Sequence, residues 1–404
     1  MNMHATERAT RSQSPMTADG PARVYINGRF LQQPITGVQR YGRELLKAWD
    51  RLLADGKLDG EKIEFVVLAP RGPIDAPKLE RIALRQAGRL RGHLWTQLEL
   101  PFLSRDGLLF SPGNIHPLVL LGPLNGVVTI HDLAYVAHPE AYSKAFRLLY
   151  SVLVPMAIRR ADAVITVSQA EKAHILGRYP RVLGRIHAVH NGAAHGYGVG
   201  EPCEPAYDPS EGRPFVLWVG TLIRRKNPQG ALNAMALVNR EMPVDLIVAG
   251  ASQRGLLEGG LCLPPELEGR VRFLGQLDNF TRLRQLYEHA VGLLFPSFYE
   301  SCGLPPLEAM QLGCPVVASD IPALREICGD AALYAEPSEP ADVARKIKLL
   351  LRDPPLREKL RERGRRQARL FSWDKCARET VAILAKVLDG RPQRWAARHE
   401  AASS

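Results

Sequence analysis

Short runs of residues that are apolar along their whole length, rather than at every second position, recur through the chain. In its first half they are "RVYIN" (23–27), "EFVVLAP" (64–70), "GLLFSP" (107–112), "GVVTIHD" (126–132), "AVITVS" (163–168) and "HAVHNG" (187–192). A strand with no polar side to show water is buried on both faces, as parallel strands covered by helices are. Most of the intervals are long enough for such a helix. The same pattern restarts with "FVLWVG" (215–220), "DLIVAG" (245–250), "VRFLG" (271–275), "VGLLFP" (291–296), "PVVAS" (315–319) and "AALYA" (331–335). The expected fold is therefore α/β, with two doubly wound parallel-sheet domains.

Composition marks the join. The stretch "GYGVGEPCEPAYDPSEGRP" (196–214) holds glycine, proline and acid with little to bury, and separates a domain at 23–195 from one at 215–374. Helical periodicity runs from 340 to 389, ending in a helix at 375–390, while 1–22 and 391–404 read as tails. With 404 residues, two cores can form. No apolar run approaches the ~18 residues that span a bilayer, and the first residues lack the apolar middle of a secretory signal, so a cytoplasmic chain is expected. The six cysteines show no Cys-x-x-Cys pair, and His187 and His190 have no thiol or carboxylate motif beside them. No metal is implied.

The net charge is +11, and residues 345–369 alone hold eleven Lys or Arg against three Asp or Glu. Leu349, Leu350, Leu356 and Leu360 give that stretch an apolar side at helical spacing. A solvated helix face is expected there, and no nucleic-acid partner.

Candidate chemistry sits where ligands bind open α/β sheets, just beyond the carboxyl ends of strands. In "FYESCGLPPLEAMQLG" (298–313), Glu300 follows a strand, Pro305 and Pro306 suit the first turn of a helix, and Glu308 lies about one turn in. The amides of Cys302, Gly303 and Leu304 then lie at the positive end of that helix. That geometry suits a negatively charged group; the alternative is that Glu308 merely complements the helix dipole and Glu300 ends the strand. "GTLIRRKNP" (220–228) places Arg225 and Lys226 before a helix start, a possible diphosphate clamp or a solvated charge run. Gly37 precedes an amphipathic helix and would let a phosphate or sugar approach the backbone, or simply turn the chain. His131, in "VVTIHDLAY", ends a buried strand and could hydrogen-bond a substrate or pack against a loop.

Together these segments resemble glycosyltransferase family 4, retaining enzymes of the GT-B fold, in which two Rossmann-like domains face each other across a cleft. The similarity runs from about residue 23 to 389 and is carried by Glu300 and Glu308 with the block through Pro337, and by "VGTLIRRKN", "VRFLGQL", "VTIHDL", "ITVSQAEK", "VHNG" and "FSWDKCARET". The resemblance implies a nucleotide-diphosphate sugar as donor and no cofactor. Glu308 would accept from the ribose hydroxyls, Glu300 and His131 would lie at the donor sugar, Arg225 and Lys226 would neutralise the diphosphate, and Gly37 would form the opposite wall. It also implies that the last helix crosses back to the first domain. Thr221 stands where many members carry an arginine, and Ser301 and Cys302 where a glycine and an aromatic are frequent.

The implied acceptor is a glycan or a lipid-linked glycan of envelope polysaccharide or lipopolysaccharide, and the implied transferred sugar is a hexose, with mannose as a guess. Rival readings are a sugar-nucleotide epimerase or hydrolase of the same fold and a nucleotide-sugar-binding protein without turnover. In "APKLERIALRQAGRL" (76–90), Lys78, Arg81, Arg85 and Arg89 fall on one face of a predicted helix. Such a helix could rest on anionic lipid, giving peripheral contact with the inner face of the membrane.

Overall fold

The computed structural model describes residues 21–58, 63–118, 126–139, 142–193, 212–251, 260–277 and 280–390; most of the expected linker and both tails lie outside them. In the first half, β1 (Ala22–Asn27), β2 (Ile63–Ala69), β3 (Ala83–Gln86), β4 (Leu108–Ser111), β5 (Gly126–Thr129), β6 (Ala163–Thr166) and β7 (Ile186–Ala188) pair in the order β3-β2-β1-β4-β5-β6-β7. In the second, β8 (Phe215–Val219), β9 (Asp245–Ala249), β10 (Val271–Gly275), β11 (Gly292–Phe295), β12 (Val316–Ser319) and β13 (Ala332–Ala335) pair in the order β10-β9-β8-β11-β12-β13. All these pairings are parallel. Each sheet reverses direction once, between β1 and β4 and between β8 and β11. Those switch points are where open sheets leave a crevice.

The helices used below are α1 (Gly37–Ala54), α2 (Lys144–Arg160), α3 (Gln169–Arg178), α4 (Pro228–Asn239), α5 (Phe280–His289), α6 (Leu304–Gln311), α7 (Pro322–Cys328), α8 (Pro340–Arg352), α9 (Pro354–Ala368) and α10 (Trp373–Asp389). The last of them packs on the first domain. Trp373, Cys376, Ala377 and Leu384 are buried with Tyr41, Leu45 and Trp49 of α1, and the Trp49 indole donates to the Ala377 carbonyl at 3.0 Å.

One predicted element is overturned. Residues 76–90 form no helix; β3 runs through them as an exposed edge strand beside β2, with Val66 opposite Ala83 and Leu68 opposite Arg85. The physical reasons are local. Asp50 accepts the backbone amides of Glu80, Arg81 and Ile82 at 2.8–3.0 Å, which holds the entry extended. Gly88 then takes a φ of +94° that a helix does not allow. The four cations therefore share no helical face, and of them only Arg85 lies on the edge strand.

The basic stretch forms α8 and α9, with Leu350 and Leu360 buried as expected. Leu349 is 41% exposed and so departs from the predicted apolar side. Lys348 and Arg352 pair with Glu241 at 2.5 and 2.9 Å.

Gly250, just past β9, holds a φ of +156°, and a Cβ there would lie 1.7 Å from the Gly220 carbonyl oxygen. Gly250→Ala is expected to lose ~3 kcal/mol or more, because backbone cannot yield as a flexible side chain can. Its denaturant midpoint should fall with little change in slope.

Candidate active site

The chain after β8 makes a short turn, Arg224–Lys226, that ends at Asn227 with φ +55°. Asn227 caps α4 by accepting the Gly230 amide at 3.0 Å and donates to the Pro337 carbonyl at 2.8 Å. These bonds fix the two preceding cations. Lys226 Nζ lies 2.5 Å from Glu300 Oε1, and Arg225 Nη1 lies 3.5 Å from Glu300 Oε2 and 2.8 Å from the Tyr299 carbonyl. All three charged side chains are buried or nearly so.

Burial alone would push the Glu300 carboxyl up, but Lys226 and Arg225 outweigh it and hold Glu300 below the usual carboxylate range. Burial lowers Lys226, with Glu300 resisting. For Arg225, burial is outweighed by Glu300 and Asp132, which raise it. Two buried cations held on one acid at contact distance can also answer an added anion.

Glu308 enters from the other side. It is buried on α6, accepts from the Tyr287 hydroxyl at 3.1 Å, and pairs with Arg40 of α1 across the gap between the domains. Arg40 sits in the first turn of α1, whose first residue is Gly37; a Cβ built on Gly37 would meet nothing within 4 Å. The start of α1 thus opposes the start of α6. Leu304 packs against the core of the first domain, wedging the loop before α6 between the two sheets. The Cys302 side chain is buried in the second domain's core, and burial pushes its thiol up to about 12. Any ligand contact it makes falls to its backbone.

His131 is buried at the end of β5. Its Nε2 lies 2.8 Å from the Pro112 carbonyl, its amide donates to Asn114 Oδ1 at 2.7 Å, and its ring stands edge-on to Tyr41 with centroids 4.8 Å apart. The loop bond means that Nε2 carries the proton and Nδ1 is the acceptor. Burial lowers its pKa, and burial takes His116 down to about 4. Both rings are therefore neutral at pH 7 when folded. Because the unfolded chain takes up these protons first, stability should fall as pH drops through the ordinary histidine value, by ~3 kcal/mol for His116 alone by pH 4. Turnover should show no imidazole limb between pH 8 and 6.5. Urea titrations and a pH–rate profile check the two statements.

The interface between the domains adds residues that motif reading missed. Asp132 lies within electrostatic reach of both Arg225 and Lys226. The Tyr299 hydroxyl donates to Glu171 at 2.6 Å, and the Ser168 hydroxyl donates to the Ser301 carbonyl at 2.6 Å. Glu326 of α7 accepts the Gln169 and Ala170 amides at the start of α3 at 2.7 and 2.8 Å, and His190 Nε2 lies 2.5 Å away. Asp132 was legible beside His131, and Asn227 before Pro228 has the form of a helix cap. Arg40 and Glu326 carried no signal, since each sits inside an ordinary helical run.

Among the described residues, no group of three or more His, Cys, Asp or Glu is placed to hold a metal ion.

Two parallel sheets whose carboxyl edges share one gap, with acids and cations gathered there, define the two-domain transferase architecture termed GT-B. Solved structures agree on the fold. Sucrose-phosphate synthase from Thermosynechococcus elongatus aligns with TM-score 0.63 and 22% identity over 93% of this chain and 100% of that one. Anabaena HepE, solved in complex with UDP and glucose, aligns with TM-score 0.65 and 18% identity over 90% and 99%.

The chain belongs to glycosyltransferase family 4: the family model described as "Glycosyltransferase Family 4" matches residues 35–195, and "Glycosyl transferases group 1" matches 204–367. It is a glycosyltransferase. Among curated relatives, O-antigen chain mannosyltransferase B of Escherichia coli is 30% identical over 382 residues, 87% of this chain and 96% of that protein. Glycogen synthase of Mycobacterium tuberculosis is 29% identical over 290 residues, 69% of this chain and 68% of that protein.

Proposed function

We propose that the protein transfers mannose from a nucleoside-diphosphate sugar to a glycan or lipid-linked acceptor of O-antigen or a related envelope polysaccharide, with retention at the anomeric carbon and without a metal. The observation that carries this reading is the buried Glu300–Lys226–Arg225 cluster, set opposite the strand end that holds His131 and Asp132. The likeness to the E. coli O-antigen mannosyltransferase supports the choice of sugar.

In this reading Arg225 and Lys226 bind the diphosphate, whose negative charge grows as its bond to the anomeric carbon breaks. The electron pair of that bond leaves with the phosphate oxygen. The acceptor oxygen bonds to the same face of the sugar and passes its proton to the departing phosphate. Glu300 aligns the two cations and lies by the sugar, His131 Nδ1 accepts from a sugar hydroxyl, and Glu308 accepts from the ribose. The work is done on the cytoplasmic side of the membrane, where nucleotide sugars are made. Among the described residues no helix is long and apolar enough to cross a membrane, so contact with lipid would be peripheral.

The test is slow donor hydrolysis across a panel of nucleoside-diphosphate hexoses. Release of nucleoside diphosphate should be fastest with a mannose donor, and should rise when a lipid-linked glycan is added. Equal release from mannose and glucose donors, or none from any, refutes the assignment.

A further inference from the structure

The start of α3 bonds to the second domain at four consecutive residues, 168 to 171. The Ser168 hydroxyl donates to the Ser301 carbonyl at 2.6 Å, the Gln169 and Ala170 amides donate to the two oxygens of Glu326 at 2.7 and 2.8 Å, and Glu171 accepts from the Tyr299 hydroxyl at 2.6 Å. Ser168 also caps the helix from its own side, accepting the Glu171 amide at 3.0 Å. Glu326 therefore brings a carboxylate from the other domain to the positive end of α3 and satisfies two amides that a helix leaves without partners. Burial would raise its carboxyl, but the His190 ring, with Nε2 2.5 Å away, and the two amides outweigh burial and hold it below the usual carboxylate range.

The chain passes between the domains at the same place. Val167 and Ala193, which follow β6 and β7, are buried in the core of the second domain. Phe371 lies in that core too, whereas Trp373, two residues on, lies in the core of the first. His190 stands edge-on to Phe371 with centroids 5.3 Å apart, the Ala193 amide donates to the Phe371 carbonyl at 3.2 Å, and a Cβ on Gly192 would lie 2.2 Å from the Trp373 nitrogen. Packing this close resists sliding and leaves rotation about the joint as the soft motion.

We propose that Glu326 is a positioning residue for the transfer: it pins the start of α3 as the bearing on which the second domain turns, and so fixes where Glu300 meets the strand end of His131. The link runs through α3, because Glu171, in the same turn, holds Tyr299 beside Glu300 and the Leu133 amide beside Asp132. This deepens the function proposed above and rests on it, since it takes the transfer centre to lie at Glu300 and His131.

The test compares Glu326→Gln with the wild type. Glutamine keeps the shape of the side chain but has one acceptor oxygen, so its own amide is set against a helix N–H, donor facing donor. His190→Leu removes one partner of Glu326, leaves the helix amides satisfied, and stands in if Glu326→Gln fails to fold. Arg325→Gln, the neighbouring position on α7, removes a pair with Asp320 inside the second domain and is the control. Spin labels at Lys144→Cys in the first domain and Lys359→Cys in the second, both exposed positions, report the separation of the domains in the full chain, with Cys203 and Cys262 replaced by serine.

The distribution of label distances should be about twice as broad in Glu326→Gln as in the wild type, broader by less in His190→Leu, and unchanged in Arg325→Gln. Donor hydrolysis by Glu326→Gln, referred to the folded fraction, should lose ~10-fold in kcat while the donor KM stays within about threefold, because the groups that bind the donor are untouched. A distribution of wild-type width in both Glu326→Gln and His190→Leu overturns the proposal, and so does broadening with wild-type kcat. If the donor reading is wrong instead, the wild type too releases no nucleotide, while the broadening in Glu326→Gln remains.

Discussion

Glu300→Gln is expected to lower turnover ~100-fold and to cost ~3–5 kcal/mol of stability, because it strips the nearest countercharge from two buried cations while leaving the side chain's shape intact. Lys226 and Arg225 touch opposite oxygens of this carboxylate. Lys226, already lowered by burial, should then lose its proton more easily and clamp phosphate less well. A nucleoside diphosphate would supply the missing anion. It should therefore raise the unfolding midpoint of the variant more than that of the wild type. The pH dependence has a definite sign: Glu300 is held low in the folded state, so its contribution is complete above the unfolded carboxylate value near ~4.3 and is lost as pH falls through the lower folded one. Wild-type turnover together with an unchanged midpoint would show that the cluster is a surface ion network.

Most strands were legible because parallel strands buried on both faces carry few polar residues to confuse the pattern, while β10, with no buried residue, was found from Val271, Phe273 and Leu274. Each of the twelve apolar runs overlaps a strand, although "HAVHNG" shares only His187 and Ala188 with β7. β3 was missed for the converse reason: all four of its residues are exposed, and their spacing of charged and apolar positions also fits a helix. Its conformation is set by Asp50, thirty residues earlier in sequence, through bonds that no local pattern encodes. The site divides in the same way. Glu300, Arg225, Lys226 and His131 stand just after strands, so a rule about strand ends finds them; the structure brings the first three into contact and places Asp132, next to His131, within electrostatic reach of the two cations. Arg40 and Glu326 act across the gap, and pairing over such distances leaves no local trace.

The contacts across the gap also make the relative placement of the domains part of the chemistry. Glu171 receives Tyr299, the residue before Glu300, while its other oxygen accepts the Leu133 amide just after Asp132. One carboxylate of the first domain thus ties the Glu300 loop to the strand end bearing His131. In the proposed mechanism, a shift of the domains would separate the Glu300 loop from the strand end bearing His131, so domain closure would also assemble the site.

Glu308→Ala should raise the donor KM ~100-fold and change kcat only a fewfold, the opposite division from Glu300. A carboxylate that accepts two ribose hydroxyls contributes ~1.5–3 kcal/mol per bond, and both bonds persist through the reaction, so they strengthen ground state and transition state alike. The competing account is that Glu308 only holds Tyr287 and Arg40 in place. Two inhibitors separate these readings. If Glu308 reads the ribose, nucleoside diphosphate should bind the variant far more weakly while inorganic pyrophosphate, which has no ribose, binds unchanged. A donor lacking both ribose hydroxyls should bind wild type and variant alike. If Glu308 instead acts by anchoring Arg40 across the gap, pyrophosphate should weaken in parallel with the nucleotide, since the opposing wall of the site would be lost to both.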